Sequence, residues 1–578
     1  MPIATPPADP PPVDPQSLVM VAEQLRGALV GAPLQLESPG AAEARQRRDQ
    51  AVNQLDDYVL PRLRDVDAPV LAVVGGSTGA GKSTLVNTLI GRVVSRAGVL
   101  RPTTRSPILV HHPTATRWFE TTRILPGLAR VRGGTPTGQT QIELVESTTL
   151  PEDLAIVDAP DFDSVVDANR QLAAQLLDAA DLWVFVTTAA RYADAVPWDF
   201  LRRARQRGVA IGLVLNRVPA GASGDIVPHL SEMLGREELG GAPVFVVDEQ
   251  ARTAEGLLPD ATVQPLRQWL SALVVDQQAR VEIIRRALVG TVGDLAGRVE
   301  HVAAQVDHQV AMRAWLGDRA DEAFQRATDR LTAAIANGEV MRGEVLARWH
   351  ELIGTGELLH QLQSRIGRMR DRIASVLTGK ASTTHQFEGA VTSGVEVLVS
   401  EEIARAIDEL VSQWRSVPAG QALLGRLERT DLARPSTDLA ARVERLVRDW
   451  QGGLLETLRR EGAGKRNAAK ALSYGVNGVA LVTMVGVFAH TGGLTGAEVA
   501  IAGGSSAVGH KLLEALLGDQ AVRTLATNAR HDLQRRIAEL MADEAARYHT
   551  AVDAPAGSGE YGGRLRWLAT SLRDGVTT

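Results

Sequence analysis

A chain of 578 residues, 44% of them hydrophobic, is long enough for roughly two to four domains with real cores. A formal net charge of −6 and a pI near 6.1 leave no global basic field, which argues against nucleic acid as a partner. There is no cysteine, so disulfides and thiolate metal sites are excluded, as suits a reducing cytosol.

Residues 1–16, MPIATPPADPPPVDPQ, are Pro-rich and lack the basic-then-apolar pattern of an export signal. They are expected to form a disordered tail on a cytoplasmic protein. Residues 17–65 suggest two helices, broken near Ser38-Pro39-Gly40, that pack on whatever follows the next domain. Residues 66–275 alternate strand and helix. The expected strands are 70–75, 107–112, 141–146, 154–158, 181–188, 209–216 and 243–248, with helices near 82–91, 166–180, 197–207, 226–239 and 264–275. Such alternation implies an α/β domain, a mainly parallel sheet with helices on both faces and ligands at the carboxyl ends of its strands.

From residue 276 the strand signal disappears. Val281, Ile284, Leu288, Val292, Leu295, Val299, Val302 and Val306 step by three or four, which marks one face of a long helix. Further helices are expected near 340–353, 356–379, 386–415, 420–429 and 436–461, so residues 276–470 read as an extended all-α bundle or stalk. Residues 471–510 carry one formal charge, Glu498, and read as an apolar hairpin. Residues 511–550 return as an amphipathic helix, and 551–578 as a flexible C-terminus with an apolar-aromatic patch near Tyr561 to Trp567.

The chemistry concentrates in Gly76-Ser77-Thr78-Gly79-Ala80-Gly81-Lys82-Ser83, a full phosphate loop between an apolar strand and a helix that continues through Thr84. Its glycines let backbone N–H groups converge on phosphate oxygens beside a helix N-terminus. Lys82 is expected to reach the β/γ-phosphates and Ser83 to bind Mg²⁺. Only five of the 62 basic residues are Lys, and Lys82 is the one that precedes residue 380. An ammonium fits a phosphate nest where a flat guanidinium would not. Arg101-Pro102-Thr103-Thr104-Arg105 lies where a second Mg²⁺ ligand belongs, with Thr104 the first choice and Thr103 the second. Asp158 ends the apolar run Leu154–Val157 where a metal-water ligand belongs. Catalysis would then rest on Lys82, Thr104 and Asp158, and the metal on Ser83, Thr104 and Asp158.

These stretches resemble the dynamin superfamily and its Era-like GTPase relatives. The layout, with N-terminal helices, a long helical region and a late apolar hairpin, is similar to that of bacterial dynamin-like proteins. The resemblance implies a domain that binds GTP and GDP with Mg²⁺, hydrolyses GTP, pairs across the nucleotide with a second copy or a related paralogue, and drives a stalk with a membrane-touching tip. Two positions depart from the family. Its Asp-x-x-Gly is Asp158-Ala159-Pro160-Asp161, which puts a carboxylate where the γ-phosphate is approached. Its base-reading [NT]-K-x-D is Asn216-Arg217-Val218-Pro219. Asn216 can bond a purine and the Arg217 stem can cover it, but Pro219 cannot accept the guanine N1 and N2 hydrogens, leaving Asp248 or Glu249 as substitutes and ATP as an open alternative.

The hairpin supports the membrane reading. Its first stretch, 471–489, is about 28 Å long as a helix, just short of a hydrocarbon core of about 30 Å. Lys465, Arg466, Lys470 and Lys511 bracket it, which suits anionic lipid on the cytoplasmic face. Burial at the end of the bundle is the competing expectation. A ribosome-acting Era-like GTPase and a nucleotide-gated scaffold with little hydrolysis are the alternative functions.

Overall fold

The structure, a computed structural model, describes residues 15–95, 106–121, 123–133, 141–164, 166–336, 381–426, 432–462, 519–552 and 560–578. Residues 1–14 of the Pro-rich tail, Thr103 and Thr104, the helices expected at 340–353 and 356–379, and the apolar hairpin at 471–510 all lie outside these residues. The chain divides into two compact units: 1–35 with 40–309 and 557–578, and 36–39 with 310–556.

In the first unit, α1 (Pro15–Val30), α2 (Ala41–Gln54) and α3 (Leu60–Arg64) precede an α/β array. The array runs β1 (Val70–Gly76), α4 (Lys82–Ile90), β2 (Ile108–His111), α5 (Thr116–Phe119), β3 (Ala129–Val131), β4 (Gln141–Glu146) and β5 (Leu154–Asp158). It continues with α6 (Asp167–Asp178), β6 (Leu182–Thr188), α7 (Ala195–Gln206), β7 (Ala210–Val218), α8 (Ser223–Arg236), β8 (Val244–Asp248) and α9 (Asp260–Val275). The eight strands form one sheet in the order β3-β4-β2-β5-β1-β6-β7-β8, with every pair parallel except β2 with β5. Every expected strand is present. The three-residue β3 was not expected; it is too short for alternation to show.

Strand alternation divides the core. Val70, Ala72 and Val74 of β1 pack with Leu85 and Leu89 of α4 and Leu266 and Leu270 of α9. Leu71 and Val73 face the other way, toward Leu172 and Leu176 of α6. β1 sits where the strand order reverses, so its carboxyl end opens on the crevice in which α/β sheets take ligands.

Helix α10 (Gln277–Ala336) follows. Its apolar stripe from Leu288 to Val306 belongs to the core of the first unit, so the boundary expected at 275 falls instead at 309/310. Close approach is the reason. Arg207, fully buried, donates to the Leu177 carbonyl at 2.8 Å, to the Asp178 carbonyl at 2.6 Å and to the Thr291 hydroxyl at 3.1 Å. Gly290 passes so near that a Cβ there would lie 2.1 Å from the Arg207 carbonyl oxygen. Helices α1–α3, expected on the stalk, likewise join this unit: Tyr58 donates to Asp181 at 2.9 Å, and Arg62 pairs with the same carboxylate.

The second unit is all-α. It contains α10 from Val310 onward, α11 (Ala381–Arg415), α12 (Pro418–Arg426), α13 (Leu439–Gly462) and α14 (Asp519–Val552). Leu316, Phe324, Ile403, Ile407, Trp414, Val443, Val447, Leu533 and Ile537 share one core. Three of its buried polar side chains find partners within the bundle, as burial favours. Trp450 donates to the Ala529 carbonyl at 2.9 Å, Tyr548 to the Leu432 carbonyl at 2.6 Å, and Glu544 accepts from Ser436, Arg442 and Arg547.

The C-terminus, expected to be flexible, is an ordered helix, α15 (Tyr561–Thr577), in the first unit. Leu565, Leu568 and Leu572 step by three and four into the core, and Tyr561 donates to the Ala28 carbonyl of α1 at 2.6 Å. Gly562 lets the helix approach α10, since a Cβ there would lie 2.1 Å from the Asp307 carboxylate. The run of three leucines outweighs the Gly and Ser before it.

Candidate active site

The loop 77–81 links the buried β1 to α4. Gly76 has to be glycine: a Cβ there would lie 2.2 Å from the Val186 carbonyl oxygen of β6. Gly79 and Gly81 take φ of 75° and 99°, the left-handed region open to glycine, and a Cβ at Gly81 would meet the Asn216 amide at 2.4 Å. The turn therefore wraps into a backbone concavity at the N-terminus of a nine-residue helix.

Lys82 is buried and folds back across that concavity. It donates to the Gly76 carbonyl at 2.9 Å and the Ser77 carbonyl at 3.2 Å, and forms an ion pair with Asp161. Beside it, Ser83 donates to Oδ2 of Asp158 at 2.7 Å, and so does Ser95, also at 2.7 Å. Ser95 is placed by Asn87, which accepts from the Ser95 N–H at 2.8 Å and donates to its carbonyl at 2.7 Å. Asp158 is fully buried, and its Oδ1 has no hydrogen-bond partner. Burial pushes this carboxyl above the ordinary range, while the Ser95 and Ser83 hydroxyls and Lys82 act against the shift. A buried, half-satisfied carboxylate next to a serine hydroxyl is a donor set for a small hard cation.

Residues 71–217 match the model of the dynamin family. They form a dynamin-family GTPase domain. Among curated relatives, a probable transmembrane GTPase, FZO-like and chloroplastic, from Arabidopsis thaliana is 26% identical over 152 residues. That match covers 26% of this chain and 15% of the relative. Among solved structures, a chain of an oligomerised bacterial dynamin pair, described as a mechanism for the long-range sensing and tethering of membranes, aligns with a TM-score of 0.41 at 11% identity. The alignment covers 100% of this chain and 96% of that one. A second chain so described aligns at 0.40 and 9% identity, covering 97% and 94%.

The dynamin-family domain brings Gly76, Ser77, Thr78, Gly79, Ala80, Gly81, Lys82, Ser83, Thr84 and Asp158 together at the carboxyl end of β1 and β5. At the end of β7, Asn216 is buried and donates to the Ala80 carbonyl at 2.8 Å, so it braces the phosphate loop. Its carbonyl accepts from the Arg217 N–H at 2.9 Å. A bulge follows, with Arg217 at φ 53°, and Val218 then pairs with Asp248 of β8. Arg217 and Asp248 are exposed on this rim.

Three contributors went unseen in the sequence. Asp163 accepts from the Thr78 N–H at 2.6 Å and from its hydroxyl at 2.8 Å, and Arg191 pairs with Asp163 at 3.0 Å. Burial raises the Asp163 carboxyl, but the Thr78 and Arg191 contacts outweigh it and hold the group below its ordinary value. Ser95 is the third. No spacing announces any of them, because each comes from a separate turn that the sheet brings together. The carboxylate at 163, two residues beyond an already anomalous Asp161, was the available hint. Among the described residues no cluster of three or more His, Asp or Glu forms a metal site.

Proposed function

We propose that this chain binds and hydrolyses GTP with Mg²⁺ and couples the cycle to membrane binding or remodelling. The observation that carries the nucleotide part is the grouping of Lys82, Ser83 and the half-satisfied Asp158 at the mouth of the phosphate loop. Lys82 would meet the β- and γ-phosphates, the backbone N–H groups of 77–83 would donate to the remaining oxygens, and Ser83 and Asp158 would hold the metal, with Thr104 as the expected further ligand. The metal supplies charge neutralisation on the phosphates. Hydrolysis then rests on positioning and electrostatics, with no covalent intermediate on the protein. Asn216, Arg217 and Asp248 form the base rim. Without an acceptor at Pro219, preference for GTP over ATP stays below about 10⁴-fold.

The membrane part rests on residues 471–510, where one charge in forty residues requires burial in protein or lipid, and on the basic residues that bracket them. Among the described residues no helix is long and apolar enough to cross a membrane. The matched plant relative is named a transmembrane GTPase. The expected partners are anionic lipid at the cytoplasmic face and a second copy or a paralogue across the nucleotide, with no nucleic acid. The test is GTP turnover by the full chain with and without anionic liposomes, alongside flotation. Lys82→Ala should abolish turnover and binding. Deleting 471–510 should release the protein from liposomes and leave nucleotide binding intact. Unchanged GTP affinity in Lys82→Ala would remove the site, and a folded protein with no lipid affinity would remove the membrane role.

A further inference from the structure

The segment after β5 turns two carboxylates onto the phosphate loop. Asp161 is bonded to the ammonium of Lys82, and Asp163 to the N–H and hydroxyl of Thr78. Asp163 is in turn held by Arg191, so the segment is fixed two residues beyond Asp161. The side chains of Lys82 and Asp161 are only 4% and 11% exposed, which keeps their pairing out of water. An ammonium has three protons. Those of Lys82 go to the Gly76 carbonyl, the Ser77 carbonyl and Asp161.

We propose that Asp161 is an internal stand-in for the γ-phosphate, so that the site holds a nucleoside diphosphate in preference to a triphosphate. The inference rests on the nucleotide reading above. A diphosphate needs one Lys82 proton for its β-phosphate. The longer of the two carbonyl bonds, to Ser77 at 3.2 Å, can be released while Asp161 stays in place. A triphosphate brings a second anion to the ground that Asp161 holds. Two like charges cannot share one buried ammonium without cost, so the carboxylate has to be expelled from a buried position first. The terminal phosphate and Asp161 therefore compete for the same proton of the same lysine. Binding of the triphosphate frees the segment that carries Asp161 and Asp163, and this ties the state of the loop to the nucleotide.

The test is equilibrium binding of fluorescent GDP and GTPγS to the full chain in Mg²⁺. Wild type should bind GDP at least about tenfold more tightly than GTPγS. Asp161→Asn and Asp161→Gly should each raise GTPγS affinity by about tenfold or more and change GDP affinity by less than about threefold. Both variants keep the two carbonyl partners of Lys82, so the loop retains its anchor, and circular dichroism checks the fold. If both variants are folded and bind GDP, and the GTPγS-to-GDP ratio is unchanged, Asp161 does not discriminate and the inference falls while the nucleotide site stands. The same follows if both affinities rise equally. If wild type binds neither nucleotide, the site reading itself is wrong and the inference goes with it.

Discussion

Asp158 and Asp181 are both fully buried, and they sit at opposite ends of neighbouring parts of one sheet. Asp181, just before β6, is completely satisfied. Tyr58 donates to its Oδ1, while Arg62 and the Leu71 N–H at 2.8 Å donate to its Oδ2. Asp158, at the end of β5, receives two hydroxyls on one oxygen and nothing on the other. The first carboxylate joins the N-terminal helices to the root of β1. The second keeps capacity in reserve at the mouth of the phosphate loop. A buried charge with partners on both oxygens serves the fold, and one with a bare oxygen beside the phosphate loop is a candidate for holding a ligand.

The comparison breaks most visibly at Asp181. Asp181→Ala strands a buried guanidinium and a buried phenol, and should cost about 3–5 kcal/mol. Urea unfolding should show this as a lower midpoint for the sheet-bearing unit. A loss under about 1 kcal/mol would show that the Asp181 network is not structural. Asp158→Asn should do the reverse. Burial already disfavours its charge, so stability should stay within about 1 kcal/mol of wild type or rise. GTP turnover should fall by about 100-fold or more if the metal assignment holds, read in the same preparation.

A third buried carboxylate lies between these two behaviours. Asp57 is pushed up to about 6, first by burial and then by repulsion from Asp56, against a 2.6 Å hydrogen bond from Gln175, the Gly127 N–H and the charge of Arg130. Its folded value lies above the ordinary aspartate value of 3.8, so the folded state binds the proton more tightly. Stability contributed by this group is therefore present at low pH and lost as pH rises through about 6. Asp57→Asn should stabilise the protein by about 1–3 kcal/mol at pH 7.5, and the gain should fall to about half by pH 5 and vanish only as pH drops to about 3.8. Thermal melts at the two pH values decide this, and a gain independent of pH would point to packing instead. The smallest effect is expected at Arg566, which pairs with Glu300 at 2.9 Å and Asp307 at 2.7 Å on a solvent-facing side of α15. Arg566→Gln should change stability by less than about 1 kcal/mol, a value that salt further reduces.

Local pattern made much of the molecule legible. The phosphate loop, the strand ending at Asp158 and the stripe along α10 each lie within one stretch of chain, where spacing and period report directly on strand, turn and helix. The helices at α11, α13 and α14 were visible for the same reason. What stayed hidden was the destination of each face. The stripe from Leu288 to Val306 announced a buried surface but not that the sheet-bearing unit would cover it. The leucines of α15 looked like a patch in a flexible tail because their partner, α1, lies some five hundred residues earlier.

At the site the division is the same. Composition and motif pointed to Lys82, Ser83 and Asp158 as candidates for a phosphate site, because the chemistry of each is carried by its own residue type and its place beside a strand. Tertiary structure alone decided what those groups touch. It set Asn216 on the Ala80 carbonyl, Ser95 on Asp158, Asp163 on Thr78 and Asp161 on Lys82. A hydrogen bond acts over about 3 Å whatever the distance along the chain, so pairs that the sheet brings together from separate turns leave no period or spacing for the sequence to show.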